Sequence, residues 1–172
     1  MESKENILPV IVLVLTATMT ALVAGLFYSW SCSVIPGLSR LSDKSYIASM
    51  QSINKAILNP VFFVSFVGTL VLLPISTYQF YVRPLSIQFW LLAIATLIYI
   101  IGVFGVTVFG NVPLNDQLAA FNLSSARAKE IAAHRLQFEV AWNNFNTLRA
   151  ISAVSVLVLV IIGCTQMPVS GK

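Results

Sequence analysis

Charge is scarce in this chain. Asp, Glu, Lys and Arg make up 9% of its 172 residues, histidine occurs once and cysteine twice. With 58% hydrophobic residues and a mean hydropathy of +0.87, the chain is neither disordered nor an ordinary soluble domain. The net charge of +4 is small and dispersed. No basic stripe with interleaved aromatics is present, so nucleic acid is not an expected partner. A single histidine, His134, excludes a two-His-one-carboxylate iron site within one chain. Glu130 and His134 are four apart, not at the Glu-x-x-His spacing of di-iron bundles. No metal site is expected, and a haem held by His134 is the alternative. Neither a Gly-rich phosphate loop nor a Ser-His-Asp pattern stands out.

Long apolar runs are what the chain does have. Four can cross a bilayer, over residues 7–30, 61–82, 87–109 and 147–167, each near the ~20 residues that ~30 Å of hydrocarbon requires. The strand alternation of a closed barrel is missing. The expected fold is therefore an all-α membrane protein, with 1–172 forming a single four-helix domain. The first run reads as a retained span: Glu2 and Glu5 offset Lys4, and Trp30 stands where a signal peptidase would need a small residue. Cys32 and Cys164 fall at opposite membrane faces, which excludes a disulfide between them and leaves them as packing residues.

Spans 2 and 3 are joined by a short link around Arg83–Ser86 and form a hairpin. The other two connections are long, and each carries an amphipathic helix. Tyr46, Met50, Ile53 and Ile57 mark the first, with Asp43 as its cap and Pro60 as its limit. Ile131, Phe138, Trp142 and Phe145 mark the second, which starts after Ser124 or Ser125 and runs through Arg149 into span 4. Small residues at Ala17, Ala21, Gly25 and Ser29 suit close helix approach, as do Gly102, Gly105, Ser152 and Ser155. Pro74 is expected to kink span 2. Lys4, Arg83 and Lys172 lie on one side and the other seven basic residues on the opposite side, which places both termini outside the cytoplasm.

Two stretches carry the polar chemistry. In "GNVPLNDQL", Gly110 to Leu118, Gly110 and Asn111 suit a helix end and Pro113 a fresh start, so the chain is expected to break and restart there. That accounts for the Gly and the Pro but does not require Asn111 and Asn115. In "RLQFEVAWNNFNTLR", Arg135, Glu139, Trp142, Asn146 and Arg149 share one helix face. A solvated stripe ending in a snorkelling Arg is the bland reading. A Trp inside that stripe, and an Arg entering a membrane segment, point instead to an interior cavity.

Four segments, "GLFYSWSCSVIPGL", "MQSINKAILNPVFF", "GVFGVTVFGNVPLNDQLA" and "WNNFNTLRAISA", resemble the family of four-span membrane proteins that includes the anthrone oxygenases. The Asn-x-Pro-x-Asn and Trp-x3-Asn-x2-Arg elements are the most specific. The resemblance implies an enzyme of the bilayer that oxidises a lipophilic, electron-rich aromatic with O₂ and no cofactor. It would make His134 the base, Arg149 or Arg135 the cation that stabilises the anion, and Asn111, Asn115 and Asn146 the amide donors, with Trp30 and Trp142 stacking on a flat ring. Asn54 joins the substrate-binding set. The chain departs from the family pattern at Thr147, where a His is expected beside the Asn of the last motif. The competing reading is a non-catalytic protein that binds a lipid or a protein partner, with its amides serving as structural glue.

Overall fold

The computed structural model describes residues 7–81 and 84–166. Lys4, Arg83 and Lys172, which carry one side of the charge count, lie outside the described residues, as do the terminal positions Val82 and Met167 of two expected spans. Among the described residues every regular element is helical: α1 (Leu8–Ser29), α2 (Ile35–Leu38), α3 (Asp43–Ala56), α4 (Pro60–Gln79), α5 (Ile87–Ile98), α6 (Val112–Ala120) and α7 (Ala128–Thr165), with π-helical turns at Trp30–Val34, Tyr99–Gly105 and Thr107–Asn111. The π turns join their neighbours into continuous rods. Four rods are long and apolar enough to cross a membrane: Leu8–Leu38, Pro60–Gln79, Ile87–Ala120 and Ala128–Thr165. The fold is an all-α, multi-pass membrane bundle.

Side-chain caps start α3, α4 and α5. Asn59 accepts from the Phe62 N–H at 3.1 Å, and Pro60 occupies the first turn, where its missing N–H costs nothing. Ser86 caps α5 in the same way at 3.2 Å. Two expected starts are corrected. Ser42, not Asp43, caps α3, which frees Asp43 to pair with Arg135. α7 begins at Ala128, where the Glu130 carboxylate accepts the Arg127 N–H at 2.9 Å. Ser124 is held back in a turn by the Asn122 side chain.

α1 packs on α4 and α7, and α5 on the same two helices. Inside the bundle several hydroxyls and amides find partners across a helix interface. Thr16 meets Ser76 at 2.8 Å, Thr77 meets Thr96 at 3.0 Å, Tyr99 donates to the Phe66 carbonyl at 2.7 Å and Gln88 to that of Gly163 at 3.0 Å. Each such contact contributes about 0.6 kcal/mol on average, so together they fix helix register more than they add stability. α3 lies across the far end of the bundle. There Tyr46, Ile47 and Met50 pack with Leu118, Ile131 and Phe138 in a second apolar cluster.

The small-residue expectations hold only in part: Ala17 is half-buried and packs against the core. Ala21, Gly25 and Ser29 are exposed, and nothing lies within 4 Å of where a Gly25 Cβ would sit. α1 packs instead through Leu13, Thr16, Thr20, Val23, Ala24 and Phe27. Its threonines satisfy their hydroxyls on the helix backbone and so behave as small apolar residues. Of the span 4 serines, Ser152 is buried against Gly102, whereas Ser155 is exposed. The expected break at Gly110 is also absent. Asn111 is helical, and the Val112 N–H reaches back five residues to Thr107 in a widened turn. Such a turn moves the preceding carbonyls aside, so Pro113 is tolerated inside a continuous rod. Gly110 serves an approach between helices: a Cβ there would stand 2.9 Å from the Phe145 ring of α7.

Gly110→Ala should therefore destabilise the bundle by about 1–3 kcal/mol, the usual range for overpacking. Gly25→Ala, on the lipid-facing side, should leave the melting temperature unchanged or raise it slightly. Thermal unfolding of both variants in detergent checks this, and equal melting temperatures would contradict the packing role.

Candidate functional site

Between the two apolar clusters lies a cavity of about 230 Å³. Its walls come from α1 and the turn after it, α3, α4, span 3 and α7. Phe27, Phe62, Phe66 and Phe104 line its membrane side, and Phe66 stacks on both Phe62 and Phe104. All six expected substrate-binding residues reach it: Trp30, Asn54, Asn111, Asn115, Trp142 and Asn146. Arg149 reaches it as well.

The amides are organised around α7. Asn115 Oδ1 accepts from Trp142 Nε1 at 2.8 Å and from Asn54 Nδ2 at 3.1 Å, tying span 3, α7 and α3 together. Asn111, 1% exposed, donates to the Trp142 carbonyl at 3.3 Å. Asn146, fully buried, donates to Ser31 at 3.0 Å and accepts from Arg149 Nη2 at 3.1 Å. Trp30 and Trp142 lie 5.0 Å apart at 49°, so they form two walls of a corner and not a parallel clamp.

Arg149 is the unusual group. It is 6% exposed, and none of the ion pairs among the described residues includes it. Its charge is met by neutral groups only. Thr107 accepts from Nη1 at 3.4 Å, Asn146 accepts from Nη2, and the guanidinium lies 4.4 Å from the Phe27 ring centre and 5.4 Å from that of Trp142. Burying an ion without a counter-ion carries a penalty of several kcal/mol. A desolvated cation–π contact returns about 2 kcal/mol, less than that penalty. Two buried polar atoms of cavity-lining residues have no protein partner: Arg149 Nε, a donor, and Asn111 Oδ1, an acceptor.

The other two candidate catalytic residues stand elsewhere. Arg135 bridges Asp43 at 3.0 Å and Glu139 at 2.8 Å, and its Nη atoms donate to the carbonyls of Leu41 and Ser39. It fastens the chain between α2 and α3 to α7. It also lies over the Tyr46 ring, whose phenol is held well above its usual range by burial and then by Glu139, with Arg135 opposing. His134 stacks on Phe121 at 4.2 Å, its Nε2 buried without a partner, and does not line the cavity. No carboxylate or imidazole is among the residues lining the chamber, and no three His, Cys, Asp or Glu side chains converge among the described residues. Thr147 is exposed and bonded to the Asn143 carbonyl, so the departure at that position leaves the cavity wall untouched. Cys164 packs against the core, whereas Cys32 is exposed and is not a packing residue.

Thr107, Phe27 and the α4–span 3 phenylalanines line the cavity without belonging to either polar stretch of the sequence. Thr107 did leave a signal, as a hydroxyl in an otherwise apolar stretch four residues before Asn111. The phenylalanines left none, because an aromatic in a membrane helix looks the same whether it faces lipid or a cavity.

Asn115→Ala should leave Trp142 Nε1 unpaired and cost about 1–3 kcal/mol. Asn54→Ala and Asn115→Ala should couple by at least about 0.5 kcal/mol in a double-mutant cycle of thermal stability. Strict additivity would show that the amide chain is not energetically connected.

The sequence model of the anthrone oxygenase family matches residues 61–159, which takes in Asn111, Asn115, Trp142, Asn146 and Arg149 but begins after Trp30 and Asn54. No curated protein and no solved structure matches the chain. A match over more than half of the sequence, carrying the elements that build the cavity, shows that the chain belongs to the anthrone oxygenase family.

Proposed function

We propose that the protein is a membrane-embedded oxygenase that binds a lipophilic aromatic as its phenolate and oxidises it with O₂. The observation that carries this reading is Arg149, a buried guanidinium without a carboxylate on the wall of an aromatic chamber. A ring oxygen placed on Arg149 and the amides supplies the missing negative charge, and the phenylalanines and tryptophans take the flat body. Anthrone, the substrate in the family's name, has this chemistry. Its enol tautomer is a phenol, and removal of that proton spreads charge into the ring carbon that reacts. One O₂ converts the CH₂ to C=O: one oxygen atom enters the ring and the other leaves as water, so anthrone and O₂ give anthraquinone and H₂O. Arg149 serves by stabilising the anion, and the proton leaves to water. No metal enters this scheme.

Oxygen uptake with anthrone in nanodiscs is the test. Arg149→Met removes the charge at similar length, and an apolar replacement for a buried ion is often tolerated structurally. It should lower turnover by roughly 10²–10³-fold, the size expected for loss of one electrostatic stabiliser, while the protein still folds. Turnover equal to wild type would overturn the role of Arg149. About one iron or copper per chain in untagged protein would replace the metal-free scheme with a metal-assisted one.

A second reading has its own support. The Asn54–Asn115–Trp142 chain and the Gln88–Gly163 bond are satisfied within the protein, as expected of amides that hold a bundle together in a protein that only binds. Ligand retention without oxygen uptake would favour it. For orientation we propose both termini outside the cytoplasm, on the charge asymmetry of the flanking residues. A cytoplasmic signal from a reporter fused at either terminus would reverse that assignment.

A further inference from the structure

The chamber beside Arg149 does not end at Asn54 and Asn115. A second cavity of about 610 Å³ adjoins it on the loop side, and Asn54, Leu58, Val112 and Asn115 line both. The Asn54–Asn115 hydrogen bond at 3.1 Å therefore stands at the boundary between the two. The character of the walls changes there. The inner chamber is mostly aromatic and aliphatic, whereas the outer one is mixed: Gln51, Lys55, Asp116, Asn122 and Ser124 join the two shared amides, beside apolar residues such as Phe121 and Leu123. Small-molecule sites usually occupy roughly 300–1,000 Å³. At about 230 Å³ the inner chamber alone falls below that range, and the two cavities together lie within it.

We infer that the outer cavity is the second half of the binding site, and that the ligand is two-ended: a phenolic oxygen on Arg149, a flat apolar body, and an uncharged hydrogen-bonding group beyond the Asn54–Asn115 pair. This deepens the reading of Arg149 given above and rests on it. The far end is uncharged because Lys55 on α3 and Asp116 on α6 line the same space with opposite signs, and no ion pair between them is formed. A charged tail would be drawn to one and repelled by the other. A hydroxyl or carboxamide can both donate and accept, which suits the four amides and the Ser124 hydroxyl on that wall. A tail that passes the boundary offers its own donor and acceptor to Asn54 and Asn115, so separating them leaves neither amide unpaired.

Two probes separate the halves: 2-naphthol, which carries only the inner end, and 6-(2-hydroxyethoxy)-2-naphthol, which carries both. Binding is read in nanodiscs by titration calorimetry. The tailed probe should bind at least about fivefold more tightly, and Ala119→Trp, which fills the outer cavity, should bring the ratio of the two affinities to near one. A direct readout uses Ser124→Cys in a background of Cys32→Ser and Cys164→Ser. The tailed probe should slow maleimide labelling of that thiol, and 2-naphthol should not. A ratio near one in the wild type, with no protection at position 124, overturns the proposal. If Arg149→Met weakens neither probe while ratio and protection persist, the reading of Arg149 fails and the outer site stands. Failure of both probes to bind overturns both.

Discussion

A guanidinium held inside a membrane bundle, with no carboxylate paired to it among the described residues, is the constraint that organises this protein. Arg149 enters the interior on α7, and neutral groups surround it there. Thr107 from span 3 and Asn146 from one turn earlier accept its N–H groups, and Phe27 from α1 gives its ring face. Three separate rods therefore meet at one side chain. Neutral acceptors and one aromatic face only partly offset the loss of hydration. The adjoining chamber is the space that this partly satisfied cation borders.

The widened turns are the second half of that arrangement. Trp30 and Ser31 lie in one, Phe104 in another, and Thr107 and Asn111 in a third. An extra residue in a turn rotates everything after it by about 100° relative to a regular helix. The widened turns thus re-aim side chains without ending the helix. This is how a membrane span, which cannot leave backbone groups unpaired in lipid, presents amides to an interior cavity while its flanks stay lipid-facing. Gly110 and Pro113 belong to the same device. The glycine gives Phe145 room to approach, and the proline is absorbed where the turn is already wide.

At the loop end the polar residues divide their work. Arg135 spends its donors on Asp43, Glu139 and two loop carbonyls, fixing how α3 and the segment before it lie on α7. That placement brings Asn54 and Ile53 of α3 to the cavity wall. Arg135 and Arg149 stand on one face of one helix, two heptads apart, yet one is saturated by acids and carbonyls while the other has none. Their difference comes from their neighbours: acids and chain-end carbonyls are available at the water-facing end and not among apolar spans.

The sequence by itself determined the four spans, the hairpin, the helix that runs unbroken through Arg149 and the family, because hydropathy, spacing and short motifs are local properties written along the chain. It also singled out the Asn, Trp and Arg residues that line the cavity, since polar groups in apolar runs have few places to go. Only the tertiary structure decided that Gly110 is a contact and not a stop. It alone showed that Ala21, Gly25 and Ser29 of α1 point outward, that Arg135 and His134 stand away from the chamber, and that Phe27, Thr107 and the α4 phenylalanines complete it. Those outcomes depend on which rod lies opposite and, along span 3, on the rotation that its widened turns impose. Residues far apart in the chain settle both, and no local pattern encodes them.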